Sequence, residues 1–230
     1  MAKQDLRGKY KFADNDWLAY AAPMSFELAG RELILGAATE EQTVLTFADA
    51  PARTLTIGGS TAEYDCVKIS EEIYIVIRGG GGTGDVSVFD LGSGRYIRWV
   101  PGGGEFAVRL SVFGGVKDAK AAWTDVESER VAPDFAGNTV EYVPGMNAAY
   151  IVTYGADGKA ALDIPGAAVS DFEAYRVAEG VYFQTARVKK GRNTYSVCAV
   201  TNYRSDMFGG AVFTKDGAQK IGGYCRSKNA

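Results

Sequence analysis

At 230 residues, 47% of them hydrophobic, the chain can bury one large core or two compact ones of roughly 100 residues each. Its 25 basic residues against 28 acidic ones leave a formal charge of -3, which offers no footprint for a nucleic-acid backbone or an anionic bilayer. Histidine is absent, and with it go the commonest general base, the Ser-His and Cys-His nucleophiles and the commonest transition-metal ligand.

The opening segment to about Pro23, carrying Trp17 and Tyr20, reads as a lid or plug, because aromatic content of this kind argues for packing over disorder. Met1-Ala2-Lys3-Gln4-Asp5-Leu6-Arg7 lacks the apolar stretch of a signal peptide, and no apolar run approaches the roughly 20 residues that span a bilayer. The expected compartment is the cytoplasm. Short apolar or alternating runs then follow roughly every 8 to 12 residues, bounded by Gly, Asp and Asn, a spacing that predicts an all-β barrel or sandwich. Strands are expected near Glu32-Leu35, Thr43-Phe47, Thr54-Ile57, Tyr64-Ile69, Ile73-Arg78, Asp85-Leu91, Arg95-Val100 and Phe106-Phe113, enough to close a small barrel.

Gly79-Gly80-Gly81-Gly82-Thr83-Gly84 contains a G-x-G-x-x-G spacing, but a phosphate cradle needs a helix to open directly after it. Asp85-Val86-Ser87-Val88-Phe89 is a strand, so the glycines read as a hairpin tip. Val116 to Trp123 and the polar stretch to Pro133 read as a short helix and linker. A second series of strands is expected near Thr139-Val143, Ala148-Tyr154, Lys159-Ile164, Phe172-Val177, Val181-Arg187, Thr194-Thr201, Gly209-Thr214 and Lys220-Tyr224. Lys189-Lys190-Gly191-Arg192 is a solvated turn. Cys66, Cys198 and Cys225 are few and far apart, as expected of buried small side chains rather than a disulfide framework or thiolate metal site.

The two series are copies of each other. Glu63-Tyr64-Asp65-Cys66-Val67-Lys68-Ile69 through Ile73-Tyr74-Ile75 aligns without a gap on Asp171-Phe172-Glu173-Ala174-Tyr175-Arg176-Val177 through Val181-Tyr182-Phe183, about 108 residues on. A unit this long is a small domain. The expected organisation is an N-terminal extension over 1–25, a first barrel over 26–116, a helix and linker over 117–137 and a second barrel over 138–230.

Side chains alternate across a strand, so Tyr74, Val76 and Arg78 share one face and Tyr182, Gln184 and Ala186 share the equivalent face. The opposite faces, Ile73/Ile75/Ile77 and Val181/Phe183/Thr185, are mostly apolar, which points to strands buried on both sides. If Tyr74 and Arg78 point inward, the first barrel holds a phenol and a cation near each other, with Glu63 as a candidate partner for the arginine. The alternative is that both tyrosines are core residues and Arg78 sits at the rim.

Tyr64-Asp65-Cys66-Val67-Lys68-Ile69 with Ile73-Tyr74, followed by Asp85-Val86-Ser87-Val88-Phe89-Asp90-Leu91 and Gly94-Arg95-Tyr96, resembles the MoaF family, associated with molybdenum cofactor biosynthesis. Ser25-Phe26-Glu27-Leu28-Ala29-Gly30-Arg31-Glu32-Leu33 and Asn202-Tyr203-Arg204-Ser205-Asp206-Met207-Phe208-Gly209-Gly210 resemble further landmarks of that family. The resemblance implies a tandem of calycin-type barrels, relatives of the lipocalins. The same core segment is similar to phenolic acid decarboxylases, cofactor-free calycin barrels that use tyrosines, an arginine and a glutamate. The glutamate of that group falls at Glu63 and, in the second copy, at Asp171. Leu33 and Leu35 stand where its first-strand tyrosines would be, an uncharged residue near Thr56 stands at its arginine, and Arg78 and Ala186 replace a tryptophan usual in both families.

The expectation that follows is a barrel that holds a small organic ligand, aromatic and carboxylated, and acts on it as a lyase or isomerase without cofactor or metal. Glu63 would be the general acid/base, Arg78 the anchor for an anionic group and Tyr74 a hydrogen-bond partner. Asp171, Tyr175 and Tyr182 are the weaker equivalents of the second copy, a degenerate or structural site without the cation. A non-catalytic carrier and a scaffold in molybdenum cofactor metabolism are the rival readings. Neither nucleic acid nor membrane is expected as a partner, and self-association into a homo-oligomer is open.

Overall fold

The computed structural model describes residues 24–36, 43–79, 84–101, 110–116, 136–145, 148–157, 159–164, 166–214 and 217–228. The predicted lid, most of the predicted helix and linker, and the glycine runs at 80–83 and 102–104 lie outside these residues. Every regular element among the described residues is a strand, and no helix there is long and apolar enough to cross a membrane. The protein is all-β, built of two antiparallel sheets.

The first sheet comprises β1 (Glu32–Gly36), β2 (Thr43–Phe47), β3 (Thr54–Ile57), β4 (Ser60–Lys68), β5 (Ile73–Arg78), β6 (Asp85–Asp90), β7 (Arg95–Val100) and β8 (Leu110–Val116). These pair in chain order, and β1 returns to β8 through Leu35↔Val116, so the barrel closes. The second comprises β9 (Thr139–Gly145), β10 (Ala148–Tyr154), β11 (Ala160–Leu162), β12 (Ala167–Ala178), β13 (Val181–Lys190), β14 (Asn193–Asn202), β15 (Met207–Thr214) and β16 (Gly217–Ser227). Here β9 pairs with β16, as β1 does with β8. The barrel is nearly closed, because the seam between β11 and β12 carries no ladder, whereas its counterpart β3–β4 is paired from Thr54↔Glu63 to Ile57↔Ser60.

Several strands run past their predicted ends. β12, β14 and β16 continue through polar residues such as Ser170, Asn193 and Gln219, because ladder hydrogen bonds do not depend on the side-chain polarity from which strands were read. The last strand of the first barrel lies at Leu110–Val116, towards the C-terminal side of its expected place.

The registers superpose the two copies. Ile73 faces Asp90 as Val181 faces Asn202, and Asp90 faces Arg95 as Asn202 faces Met207. Even the turns agree. Asp90 Oδ1 accepts from the amides of Gly92 and Ser93 at 3.0 and 3.1 Å, and Asn202 Oδ1 accepts from those of Arg204 and Ser205 at 3.0 and 3.3 Å.

Alternation on these strands builds three cores. Inside the first barrel lie Leu33, Leu45, Phe47, Tyr64, Tyr74 and Phe89 with their neighbours; inside the second lie Tyr142, Tyr154, Tyr182 and Phe208 with theirs. The third core joins the barrels. Val67, Ile69, Ile73, Ile75, Val86 and Val88 from the first meet their own repeat equivalents Tyr175, Val177, Val181, Phe183, Cys198 and Val200 from the second. The barrels therefore pack through the same face of the repeat. Each large side chain fully buried there contributes about 1.5–3 kcal/mol. Trp99 is fully buried, with its ring edge-on to Phe213 at 5.5 Å. A Cβ on Gly209 would approach Ile69 and Val67 to 3.0 and 3.1 Å, so glycine lets β15 seat against β4. Asn202 Nδ2 donates across the junction to the carbonyl of Ile69 at 3.2 Å.

Candidate ligand-binding site

The three residues expected to form the first-barrel site do not converge. Glu63 on β4 is exposed, so the burial that its acid/base role required is missing. Arg78 does point inward, but its partner is Asp85: Nε and Nη2 donate to the two carboxylate oxygens at 3.0 and 2.8 Å. Arg98 donates to the same carboxylate through Nε and Nη2 at 2.9 and 2.6 Å. Asp85, 4% exposed, thus ties two guanidinium groups across one end of the barrel. A buried carboxylate tolerates this position because both cations are within hydrogen-bond reach.

Tyr74 is inward too, at the other end of the same strand, about 13 Å from Arg78 at strand rise. Its hydroxyl donates to Glu27 Oε2 at 2.7 Å, and Lys68 Nζ holds the same oxygen at 2.7 Å. Lys68 and then Tyr74 hold the Glu27 carboxyl below its usual range through these bonds, while burial, then the bond to Glu27, push the Tyr74 phenol up. Between Arg78 and Tyr74, Val76 and the leucine-rich core fill the barrel.

In the second copy the expected residues also separate. Asp171 is exposed at a bulge in β12, with φ of 51°, and pairs with Arg187 at 3.2 Å. Tyr175 points away from the barrel into the shared core, stacked on Phe183 at 6.3 Å, with its hydroxyl donating to Glu173. Tyr182 is inside, packed against Tyr203 at 5.9 Å, but below the hollow part of the barrel.

That hollow is a cavity of about 380 Å³ within the second barrel. It corresponds to about a dozen waters at liquid density, room for a small aromatic molecule. Its walls are apolar, with Val152, Phe172, Val197, Val212 and Ile221 among them. Ala160 and Leu162 face Ala167 and Val169 across the open seam. The repeat explains why the space is here. Arg78, Asp85, Ser87 and Arg98 of the first barrel correspond in register to Ala186, Val197, Ala199 and Gly210 of the second. Small or apolar residues replace the charged cluster, and the inward volume they release becomes the cavity.

The floor is polar. Tyr142, Tyr154 and Gln184 line it, backed by Thr201 and Tyr203. Tyr154 Oη donates to Gln184 Oε1 at 2.6 Å, and the Tyr142 and Tyr154 hydroxyls stand 2.7 Å apart. Gln184 Nε2 donates to Tyr142 Oη at 3.2 Å and to Thr201 Oγ1 at 3.1 Å. Burial drives the Tyr142, Tyr154 and Tyr203 phenols above their ordinary range, so the floor is uncharged at neutral pH. Lys190, at the β13–β14 hairpin, is the one charged residue in the lining among the described residues, and it belongs to the mouth.

Alternation groups Gln184 with Tyr182 and Ala186 on one face of β13 without marking it as a site residue. Its signal was an amide in the middle of an otherwise apolar inward row. Tyr142 and Tyr154 gave none, since tyrosine in a strand is ordinary packing material. Among the described residues, no group of three or more Cys, Asp or Glu side chains is gathered to hold a metal ion. The chain matches no family model and no curated protein.

Proposed function

We propose that this chain is a MoaF-like, calycin-type binding protein of the cytoplasm whose second barrel holds a small, largely apolar molecule, aromatic by fit, while the first barrel and the shared core serve as its rigid mount. The observation that carries this reading is the apolar cavity of about 380 Å³ ending on a buried phenol–amide floor. Concave apolar walls with a few convergent polar groups are the usual anatomy of a ligand site.

Binding fits this arrangement better than turnover. A general acid or base must stand within hydrogen-bond reach of the bound molecule, and the lining among the described residues contains no carboxylate. The lyase or isomerase reading rested on Glu63, Tyr74 and Arg78, which are held apart.

The test is titration of the purified chain with naphthalene, followed by NMR shifts of the second-barrel amides. Saturable binding at one site, with shifts centred on β10, β13 and β14, is expected. An absence of saturable binding, or shifts centred on the first barrel, would reject the proposal.

A further inference from the structure

Resting on that reading of the cavity, we infer that the buried end of the ligand carries a hydrogen-bond donor, an N–H or an uncharged O–H, and that anionic or acceptor-only molecules are discriminated against at the floor. The basis is a proton count. The 2.6 Å contact between Tyr154 Oη and Gln184 has the length of an O–H···O bond and is too short for most N–H···O bonds, which sets the amide oxygen towards Tyr154. Tyr154 has therefore committed its only hydroxyl hydrogen to Gln184 Oε1. The 2.7 Å contact between the phenols must then run from Tyr142 to Tyr154.

Gln184 Nε2 has two hydrogens, and both are used, on Tyr142 Oη at 3.2 Å and on Thr201 Oγ1 at 3.1 Å. All four polar hydrogens of Tyr142, Tyr154 and Gln184 are thus engaged within the protein, and Thr185, whose hydroxyl has no partner, stands on the opposite row of β13 with Phe183, the row that packs into the shared core. The 3.4 Å approach of Tyr142 to Gln184 Oε1 adds no second donor there, since the Tyr142 hydrogen lies on the shorter bond to Tyr154. What the floor offers a ligand is oxygen lone pairs, those of the Gln184 carbonyl above all. This amide is 7% exposed and faces the hollow.

An incoming N–H or O–H completes the carbonyl of Gln184. An ether, ketone or carboxylate sets lone pair against lone pair, and a carboxylate is in addition stripped of water with its nearest lining cation, Lys190, out at the mouth. The raised phenols support the count, because they keep their hydrogens throughout the neutral range.

Indole and benzofuran test this directly, since they share a shape and differ by N–H against ring oxygen; benzoate supplies the anion. NMR titration of the full chain is expected to give indole about fivefold or more tighter binding than benzofuran, with benzoate weaker still. In Gln184→Met the indole preference should fall to within about twofold. Benzofuran or benzoate binding as tightly as indole to the unaltered chain would overturn the inference, even with naphthalene still bound at the cavity. Failure of naphthalene to bind would instead remove the ligand site itself.

Discussion

Arg78 and Ala186 occupy one position in two copies of the same barrel, and between them lies the difference between a filled interior and a hollow one. The arginine is held inward by Asp85 at 2.8 Å; the alanine leaves its share of the barrel to the cavity. Ala186→Leu should therefore close the second barrel. Naphthalene affinity is expected to fall at least about tenfold, and the thermal midpoint to hold or rise, since the added carbons enter existing apolar space at about 0.8 kcal/mol per methylene. Titration and a thermal melt on the same sample read both effects; unchanged affinity would mean that the ligand lies elsewhere.

Among the described residues Asp85 is the single carboxylate between Arg78 and Arg98, and their side chains are only 15% and 31% exposed. Asp85→Asn leaves two cations facing each other at the barrel end. Urea denaturation is expected to show a loss of about 3 kcal/mol or more, because removing one partner strands the charge of the others. A loss under about 1 kcal/mol would show that water already screens the cluster.

Folding raises the phenols of Tyr142, Tyr154 and Tyr203, chiefly by burial. A group raised in the folded state contributes stability below its unfolded value, near pH 10 for tyrosine, and loses it as pH rises further. Urea midpoints should thus be insensitive to these groups below about pH 9. Above about pH 10 they should drop, as the unfolding free energy falls by up to about 1.4 kcal/mol per pH unit for each phenol. Tyr203→Phe should flatten that drop, and the phenolate absorbance lost in that variant should be a part that otherwise appears together with unfolding. Loss of an absorbance component that rises before unfolding would contradict the sealed floor.

Burial pushes the Cys66 thiol up to about 12, helped by the Glu27 and Asp65 charges, and burial does the same for Cys198, to about 12. Thiolate is the reactive form, so at pH 8 only about one thiol in ten thousand is primed to react. Ellman's reagent is expected to leave both unmodified in the folded chain and to label all three cysteines in denaturant. Peptide mapping distinguishes them, and prompt labelling of Cys66 or Cys198 in the native chain would contradict their burial.

Alternation and repetition are local properties, and the sequence by itself settled what depends on them: an all-β chain, two copies, Tyr74 and Arg78 on one face of their strand, and an apolar opposite face on each repeated strand. Ile73, Ile75 and Ile77 announced that face plainly, though only the packed structure revealed that it is buried against the other barrel. Partner choice was beyond reach. Arg78 takes Asp85 through the β5–β6 register, whereas Glu63 turns outward on β4. The location of the cavity was decided by tertiary structure alone, because a hollow is the volume left when residues from many strands converge. Ala186, Val197, Ala199 and Gly210 come from three strands, and their combined smallness has meaning only once the barrel sets them side by side.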